Sequence, residues 1–342
     1  MERDALILSA RAGFESEPTM RAVLCTAYGG PEVLKLAVVP RPSPGPDQVR
    51  VRVRATTVTA ACGMMRRADS MLARLILGLR RPRERYRIMG LEFAGEIDEV
   101  GAAVTAYRPG DRVFGFAGFS AGAYAEYLCM SARGSLALMP SRLTFEEAAA
   151  LVDGPTTALY FLRDRARIRA GDSVLVIGAS GAIGTAAVQL ARHFGATVTG
   201  VTSGRNRELV TSLGASRVVD YTDDSDRPTP NSYDIVFDTV GKSSFRACKP
   251  LLRQGGRYLV TTGSPALYLR DAWSRIFGDK KLMYGMSVEK SEKLATIRAL
   301  VERGELAPVV DRVYPLDSIV EAHRYVDTGH KRGNVVLRVA PR

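Results

Sequence analysis

Ser180, Gly181, Ala182, Ile183 and Gly184 stand between an apolar run, Val174–Ile177, and a run with helical periodicity, Thr185–Arg192. A strand, a glycine-rich turn and a helix in that order bring unpaired N–H groups and the positive end of a helix dipole to one point, an arrangement that holds a phosphate. Gly181 lets the backbone approach a pyrophosphate, and Gly184 lets the helix pack closely on the strand. The first glycine of the usual G-x-G-x-x-G is Ala179 here. The motif is a variant, and the strand before it and the helix after it give it weight as a dinucleotide site.

The next strand, Ala196–Thr202, ends where an NAD enzyme places a carboxylate on the ribose hydroxyls. Ser203-Gly204-Arg205-Asn206-Arg207 follows instead. No acid is present in that stretch, and a guanidinium from Arg205 or Arg207 suits the 2′-phosphate of NADPH. The competing reading is two solvated arginines in a first helical turn. Val240-Gly241 and Thr262-Gly263-Ser264 close two further apolar strands, where sheets of this kind place ligands.

These residues need a scaffold of alternating strands and helices. Arg217–Tyr221, Asp234–Asp238, Gly256–Thr262 and Lys281–Met286 follow the glycine turn as strand candidates, which is the pattern of a doubly wound parallel sheet. Lys281–Met286 is the expected edge. Upstream, Ala22–Thr26, Leu34–Val39, Val49–Thr57, Phe93–Val100, Arg112–Phe116 and Ala123–Leu128 read as short strands separated by turns, hence a compact β domain. The tail holds helices near 291–303 and 318–326 and a strand at 334–339, and it reads as a return to the first domain. The fold class is therefore α/β, with a β domain and an inserted doubly wound sheet.

The chain has 342 residues, long enough for two cores, with 46% hydrophobic residues and a formal net charge of +12. Its four cysteines, Cys25, Cys62, Cys129 and Cys248, show no C-x-x-C spacing. They fit a reducing compartment, and a cytoplasmic protein is expected. No apolar run reaches bilayer-spanning length. The densest basic cluster is Arg80-Arg81-Pro82-Arg83-Glu84-Arg85-Tyr86-Arg87. Without a helix-turn-helix or RNA-recognition signature beside it, no nucleic-acid partner is expected. His193, His323 and His330 lack the serine and aspartate partners of a hydrolase and read as packing or surface residues.

Met20-Arg21-Ala22-Val23, Tyr28-Gly29-Gly30-Pro31-Glu32-Val33-Leu34, Gly90-Leu91-Glu92-Phe93-Ala94-Gly95-Glu96-Ile97, Pro109-Gly110-Asp111-Arg112-Val113-Phe114, Gly122–Tyr127, Gly154–Ala158 and Gly329–Leu337 occur in that order. Together they make the chain resemble the medium-chain dehydrogenase/reductase superfamily, in its zinc-free quinone-oxidoreductase-like branch. The resemblance implies a GroES-like substrate domain over 20–146, a Rossmann NADP-binding domain over 147–288 and a return segment over 289–342. Residues 1–19 would form an N-terminal extension. It also implies that Thr59 and Thr157 line the nicotinamide pocket, that Tyr221 packs near the adenosine phosphate, and that Lys331 and Asn334 contact the cofactor from the tail. For the two threonines, capping is the competing role.

Zinc-dependent relatives use a Cys, a His and a later Cys or Asp. Here Cys62 and Asp153 fall near two of those places, but Leu91 replaces the His, so no metal is expected. Without a Lewis acid, hydride delivery to a self-activated acceptor is favoured, either a quinone or an α,β-unsaturated carbonyl. Thr59 and Cys62 are the weak catalytic candidates, with an inert buried thiol the competing reading of Cys62. Two alternatives stay open: a metal-free alcohol or carbonyl dehydrogenase, and a largely non-catalytic NADP(H)-binding protein that meets nucleic acid or membrane. A homodimer follows from the resemblance. Met71–Leu79 has apolar residues at helical spacing and reads either as a lid over a bulky acceptor or as a helix packed on the β domain.

Overall fold

The computed structural model describes residues 18–118, 122–263 and 266–339. Of the expected N-terminal extension, residues 1–17 lie outside that range, and Thr19 already belongs to the first strand. Strands β1 (Thr19–Cys25) and β2 (Leu34–Pro40) form an antiparallel pair. Strand β3 (Gln48–Val58) leads into helices α1 (Ala60–Arg67) and α2 (Met71–Leu77), and then come β4 (Glu92–Val100), β5 (Arg112–Phe116), β6 (Tyr127–Ser131) and β7 (Leu136–Leu138). Helices α3 (Phe145–Ala149) and α4 (Asp153–Leu159) cross to the second sheet.

That sheet contains β8 (Ser173–Ile177), α5 (Ala182–His193), β9 (Thr197–Thr202), α6 (Arg207–Ser212), β10 (Arg217–Asp220), β11 (Tyr233–Asp238), α7 (Phe245–Cys248), β12 (Leu252–Val260), α8 (Ala266–Phe277) and β13 (Lys281–Tyr284). The chain then returns through α9 (Ser291–Glu302), β14 (Val310–Pro315), α10 (Ile319–Asp327) and β15 (Asn334–Arg338).

The six strands of the second sheet are all parallel, in the order β10-β9-β8-β11-β12-β13. The strand order reverses between β8 and β11, so a crevice opens beyond their carboxyl ends, at Ile177 and Asp238. Strand β13 lies at one edge of this sheet, as expected, and β10 at the other. The other large sheet runs β14-β15-β3-β4-β5-β7, with β6 also on β3. Its centre, β3, alternates valines with Arg50, Arg52 and Arg54; the valines are buried and the arginines pair across the strand with Asp98 and Glu96. These three arginines are thus paired with carboxylates on one sheet face.

Two strand expectations are corrected. Ala123–Glu126 forms no ladder, because its backbone groups meet single partners in passing: Tyr124 takes bonds with Met89 and Val23, and the strand proper is displaced to Tyr127–Ser131. Strand β14 was not expected at all. It carries Asp311 and Arg312 and ends in Pro315, a composition tolerated because it lies at a sheet edge.

Candidate active site

The phosphate turn is built by three glycines with separate tasks. Gly178, not the residue at the first motif position, has φ +78°, and a Cβ there would lie 2.6 Å from Val240. It reverses the chain one residue early, which leaves Ala179 to pack, fully buried, behind the turn. Gly181 caps α5 in an extended conformation. A Cβ on it would touch only the Gly178 carbonyl, at 3.5 Å, so its outer side is open to a ligand. A Cβ on Gly184 would lie 2.0 Å from that same carbonyl, so the helix can approach only as glycine. Open N–H groups at the start of a twelve-residue helix fit a pyrophosphate.

At the end of β9 the Ser180 hydroxyl meets Thr202 Oγ1 at 2.9 Å and Asn206 Nδ2 at 3.1 Å, and Asn206 also reaches Ser203 Oγ at 3.2 Å. Asn206 Oδ1 is buried without a hydrogen-bond donor. Arg207 is turned away: it donates to the Val218 carbonyl at 2.8 Å and faces Asp226 at 3.6 Å. Arg205 is exposed, and among the described residues it has no ion pair. Tyr221 stands 60% exposed just past β10. One acid that local sequence could not reveal also approaches: a Cβ on Gly204 would lie 2.3 Å from Asp220 Oδ2. Thr222 holds the other carboxylate oxygen of Asp220 and, with its hydroxyl and N–H, keeps its pKa below the ordinary value.

At the switch point the buried Asp238 carboxylate accepts from the N–H groups of Val240, Gly241 and Ser243 and from the Tyr258 hydroxyl. These bonds fix the Val240-Gly241 turn at the mouth of the crevice. Gly263 follows β12 and is exposed. Ser264 lies outside the described residues.

Across the crevice, the Thr59 hydroxyl caps α1 by accepting from the Cys62 N–H at 3.2 Å, and it lies 3.4 Å from the Cys62 sulfur. Cys62 is fully buried, and burial pushes its thiol up, away from the thiolate a nucleophile needs. Leu91 is buried at the place where a zinc site would need its imidazole. Asp153 is engaged elsewhere: its Oδ1 pairs with Lys290 Nζ at 2.9 Å and accepts from Thr157 Oγ1 at 3.2 Å. Lys290 is itself fully buried, donates to Thr156 Oγ1 at 2.9 Å and lies 4.9 Å from the centre of the Phe116 ring. Among the described residues no three His, Cys, Asp or Glu side chains converge as metal ligands. A leucine, a buried thiol and a carboxylate already paired with an ammonium do not fit catalytic zinc.

Glu92, next to Leu91, is buried; its Oε2 lacks a hydrogen-bond partner, as does the buried Thr57 hydroxyl. Burial, followed by the charge of Asp153, pushes the Glu92 carboxyl up to about 8. Lys331 donates to the Gly333 carbonyl at 2.6 Å, and burial pulls its ammonium down to about 8 against the attraction of Glu92, Asp311 and Asp153. Asn334 is buried and donates to the carbonyls of Ala150 and Val309, so its amide joins the two halves of the cleft. Behind this floor, Arg66 Nη1 lies 3.1 Å from His323 Nδ1. Because a guanidinium only donates, Nδ1 accepts, and Nε2–H faces the Tyr124 hydroxyl at 3.3 Å. Burial and the adjacent Arg66 hold His323 down at about 3, so it stays neutral.

Sequence reasoning did not single out Lys290, which stands just before the helix expected near 291–303. Helix α2 has no buried residue, so it is not a core helix of the β domain.

Comparison with known proteins identifies the family. The family described as "Alcohol dehydrogenase GroES-like domain" matches residues 45–141, and "Zinc-binding dehydrogenase" matches residues 213–337. A quinone oxidoreductase of Rattus norvegicus is 33% identical over 335 residues, covering 93% of this chain and 97% of that protein. A 2-methylene-furan-3-one reductase of Solanum lycopersicum is 32% identical over 265 residues, covering 74% of this chain and 64% of the relative's length. Among solved structures, a quinone oxidoreductase from Coxiella burnetii superposes with a TM-score of 0.84 at 29% identity, over 94% of this chain and 100% of that one. With two thirds or more of the chain matched above 30% identity, the conclusion is direct: it belongs to the medium-chain dehydrogenase/reductase superfamily, in its quinone-oxidoreductase-like branch.

Proposed function

We propose that this protein is an NADPH-dependent, zinc-independent oxidoreductase that delivers hydride to quinones or α,β-unsaturated carbonyls. The observation that carries this reading is the Lys290–Asp153 ion pair, whose charges act on the buried Glu92 next to Leu91, where a metal-dependent relative would assemble its ligands. The domain division is 20–146 with 289–342 for the substrate and 147–288 for the cofactor.

When bound, the nicotinamide supplies the hydride. Ser180, Gly181, Ala182, Ile183 and Gly184 would hold the pyrophosphate on open N–H groups. Ser203 and Arg205 would meet the 2′-phosphate, with Tyr221 beside the adenine end. Thr157, held by Asp153, stands at the nicotinamide face together with Thr59. Val240, Gly241 and Gly263 shape the mouth of the crevice. Apart from Glu92 Oε2 and the Thr57 hydroxyl, the substrate-side floor is apolar or internally paired, so it can orient a conjugated acceptor and keep water out but offers no Lewis acid. A quinone or enone needs none, because it delocalises the arriving charge itself. Homodimerisation would use the open edge β13 and the neighbouring α8, whose Leu269, Trp273 and Ile276 are 68–76% exposed.

The test is NADPH consumption by chelator-treated protein with a panel of quinones and enones, run beside simple aldehydes with NADPH and simple alcohols with NADP+. Saturable turnover of the conjugated acceptors, unchanged by chelator, is expected. Turnover confined to alcohols or aldehydes, or restored only by zinc, overturns the proposal.

A further inference from the structure

We propose that α2 and the arginine-rich turn after it form a peripheral binding site for an anionic phospholipid bilayer. Six of the seven residues of Met71-Leu72-Ala73-Arg74-Leu75-Ile76-Leu77 are apolar, and a helix apolar on all sides is ordinarily enclosed by protein or lipid. No residue of this one is buried. Met71, Leu72, Leu75 and Ile76 are 52–69% exposed, and Leu79, just beyond, is 59% exposed. Five large aliphatic side chains facing outward within nine residues mark an interaction site rather than scattered surface apolarity.

The exposure is held in place. The Ser70 hydroxyl caps the helix by accepting from the Ala73 N–H at 3.1 Å. Arg74 donates to the Ala68 carbonyl at 3.1 Å and lies 5.6 Å from the centre of the Tyr28 ring, while the Tyr28 hydroxyl donates to the Gly78 carbonyl at 2.7 Å. Arg83 reaches back to the Leu75 carbonyl at 3.0 Å. The polar bonds all lie beneath the helix or at its ends and leave the aliphatic side chains without a partner.

The following turn supplies the charge. Residues 80–87 hold Arg80, Arg81, Arg83, Arg85 and Arg87 against a single acid, Glu84. Four of these arginines, with Gly78, Leu79, Pro82 and Glu84, line an open depression of about 860 Å³. Among the described residues, Arg80 and Arg81 make no ion pair.

Aliphatic side chains and unpaired guanidiniums side by side are satisfied together by an anionic bilayer, which takes the first into its acyl boundary and the second at its headgroups. A second copy of this chain docking by the same face would bring arginine against arginine. A nucleic acid would meet the arginines but leave the aliphatic helix uncovered. The inference rests on this surface alone and is independent of the reductase reading.

The experiment is flotation of the full chain with vesicles of phosphatidylcholine, alone or mixed with phosphatidylglycerol, at low and high salt. Two combined variants are compared: Leu72→Ser with Leu75→Ser and Ile76→Ser, and Arg80→Gln with Arg81→Gln and Arg85→Gln. All six positions are exposed, so both variants should fold, which circular dichroism checks. Binding to the mixed vesicles, release by salt, and a loss of roughly tenfold or more in each variant are expected. Equal binding to neutral vesicles, or binding unchanged in the serine variant, overturns the proposal. So does a serine variant that only converts a dimer to a monomer, or a wild type that ignores vesicles and binds transfer RNA.

Discussion

The backbone N–H of Gly333 donates to the carbonyl of Ser180 at 2.7 Å, which pins the returning tail onto the phosphate turn of the other sheet. Gly333 also forms an isolated parallel bridge with Gly181, the next residue of the turn. A Cβ on Gly333, whose φ is +69°, would lie 2.4 Å from the Val309 carbonyl, so this contact depends on glycine. At this point the crevice is closed by main chain, beside the Asn334 side-chain amide that also joins its halves.

The glycines of the turn separate binding from folding. Gly181→Ala meets open space in the protein and should leave the melting temperature nearly unchanged while weakening NADPH binding by tenfold or more. Gly184→Ala drives a methyl group into the Gly178 carbonyl and should cost about 2 kcal/mol or more of stability. Thermal melts and fluorescence titration of NADPH distinguish the two. A Gly181→Ala protein that binds NADPH normally would remove the pyrophosphate from this turn.

Cofactor preference should depend on Arg205 and not on Arg207. Losing a charge-assisted hydrogen bond to phosphate costs about 1.5–3 kcal/mol, so Arg205→Gln should weaken NADPH roughly ten- to hundredfold and barely change NADH. Arg207→Gln, which breaks the bond to Val218, should lower stability and leave the ratio unchanged. Titration of both nucleotides against both variants checks this. Because Asp220 stands at Gly204, Asp220→Asn should shift preference further toward NADPH.

The Lys290–Asp153 pair predicts an asymmetry. Removing one partner of a buried pair typically costs about 3–5 kcal/mol because the other charge is stranded. Lys290 has a fully buried side chain, whereas that of Asp153 is 32% exposed. Asp153→Asn should therefore destabilise more than Lys290→Met, which leaves a carboxylate that water can reach. Chemical denaturation of the two variants at pH 7 reads the order directly.

Glu92 gives a pH signature. An acid raised from its ordinary range to about 8 favours the folded state below its unfolded pKa, and that support is lost as pH rises through 8. The protein should lose stability between about pH 5 and pH 8, and Glu92→Gln should flatten this slope without lowering stability at pH 7. A pH series of melting temperatures for both proteins decides; an unchanged slope in the variant means that Glu92 is ionised throughout.

What could be read in the sequence follows from what is local. The β8–turn–α5 unit, the repetition of strand and helix and the edge position of β13 were all legible, because period, glycine spacing and length are properties of short stretches. The task of Gly178 was not, since its neighbour Ala179 sits in the motif position and only the contact with Val240 shows which residue turns the chain. Lys290 and Asp220 were missed for a related reason: each gains its role from a partner distant in sequence, Asp153 for one and the Gly204 turn for the other. Helix α2 was legible as a helix, but its lack of any buried residue could be learned only from what fails to pack on it.

The register of β15 on β3 has a consequence for how the protein is made. Val335–Arg338 pairs with Ala55–Val58, so this half of β3, whose other partners β4 and β6 come earlier in the chain, gains its neighbour on that side only once β15 has been made. During synthesis the parallel sheet can close first, while β3 waits with part of one side unpaired. An uncovered strand edge invites pairing with other chains. Loss of the last dozen residues should thus appear first as aggregation of newly made protein rather than as a reduced turnover rate. The tail that secures the crevice also ends the chain's exposure to its own copies.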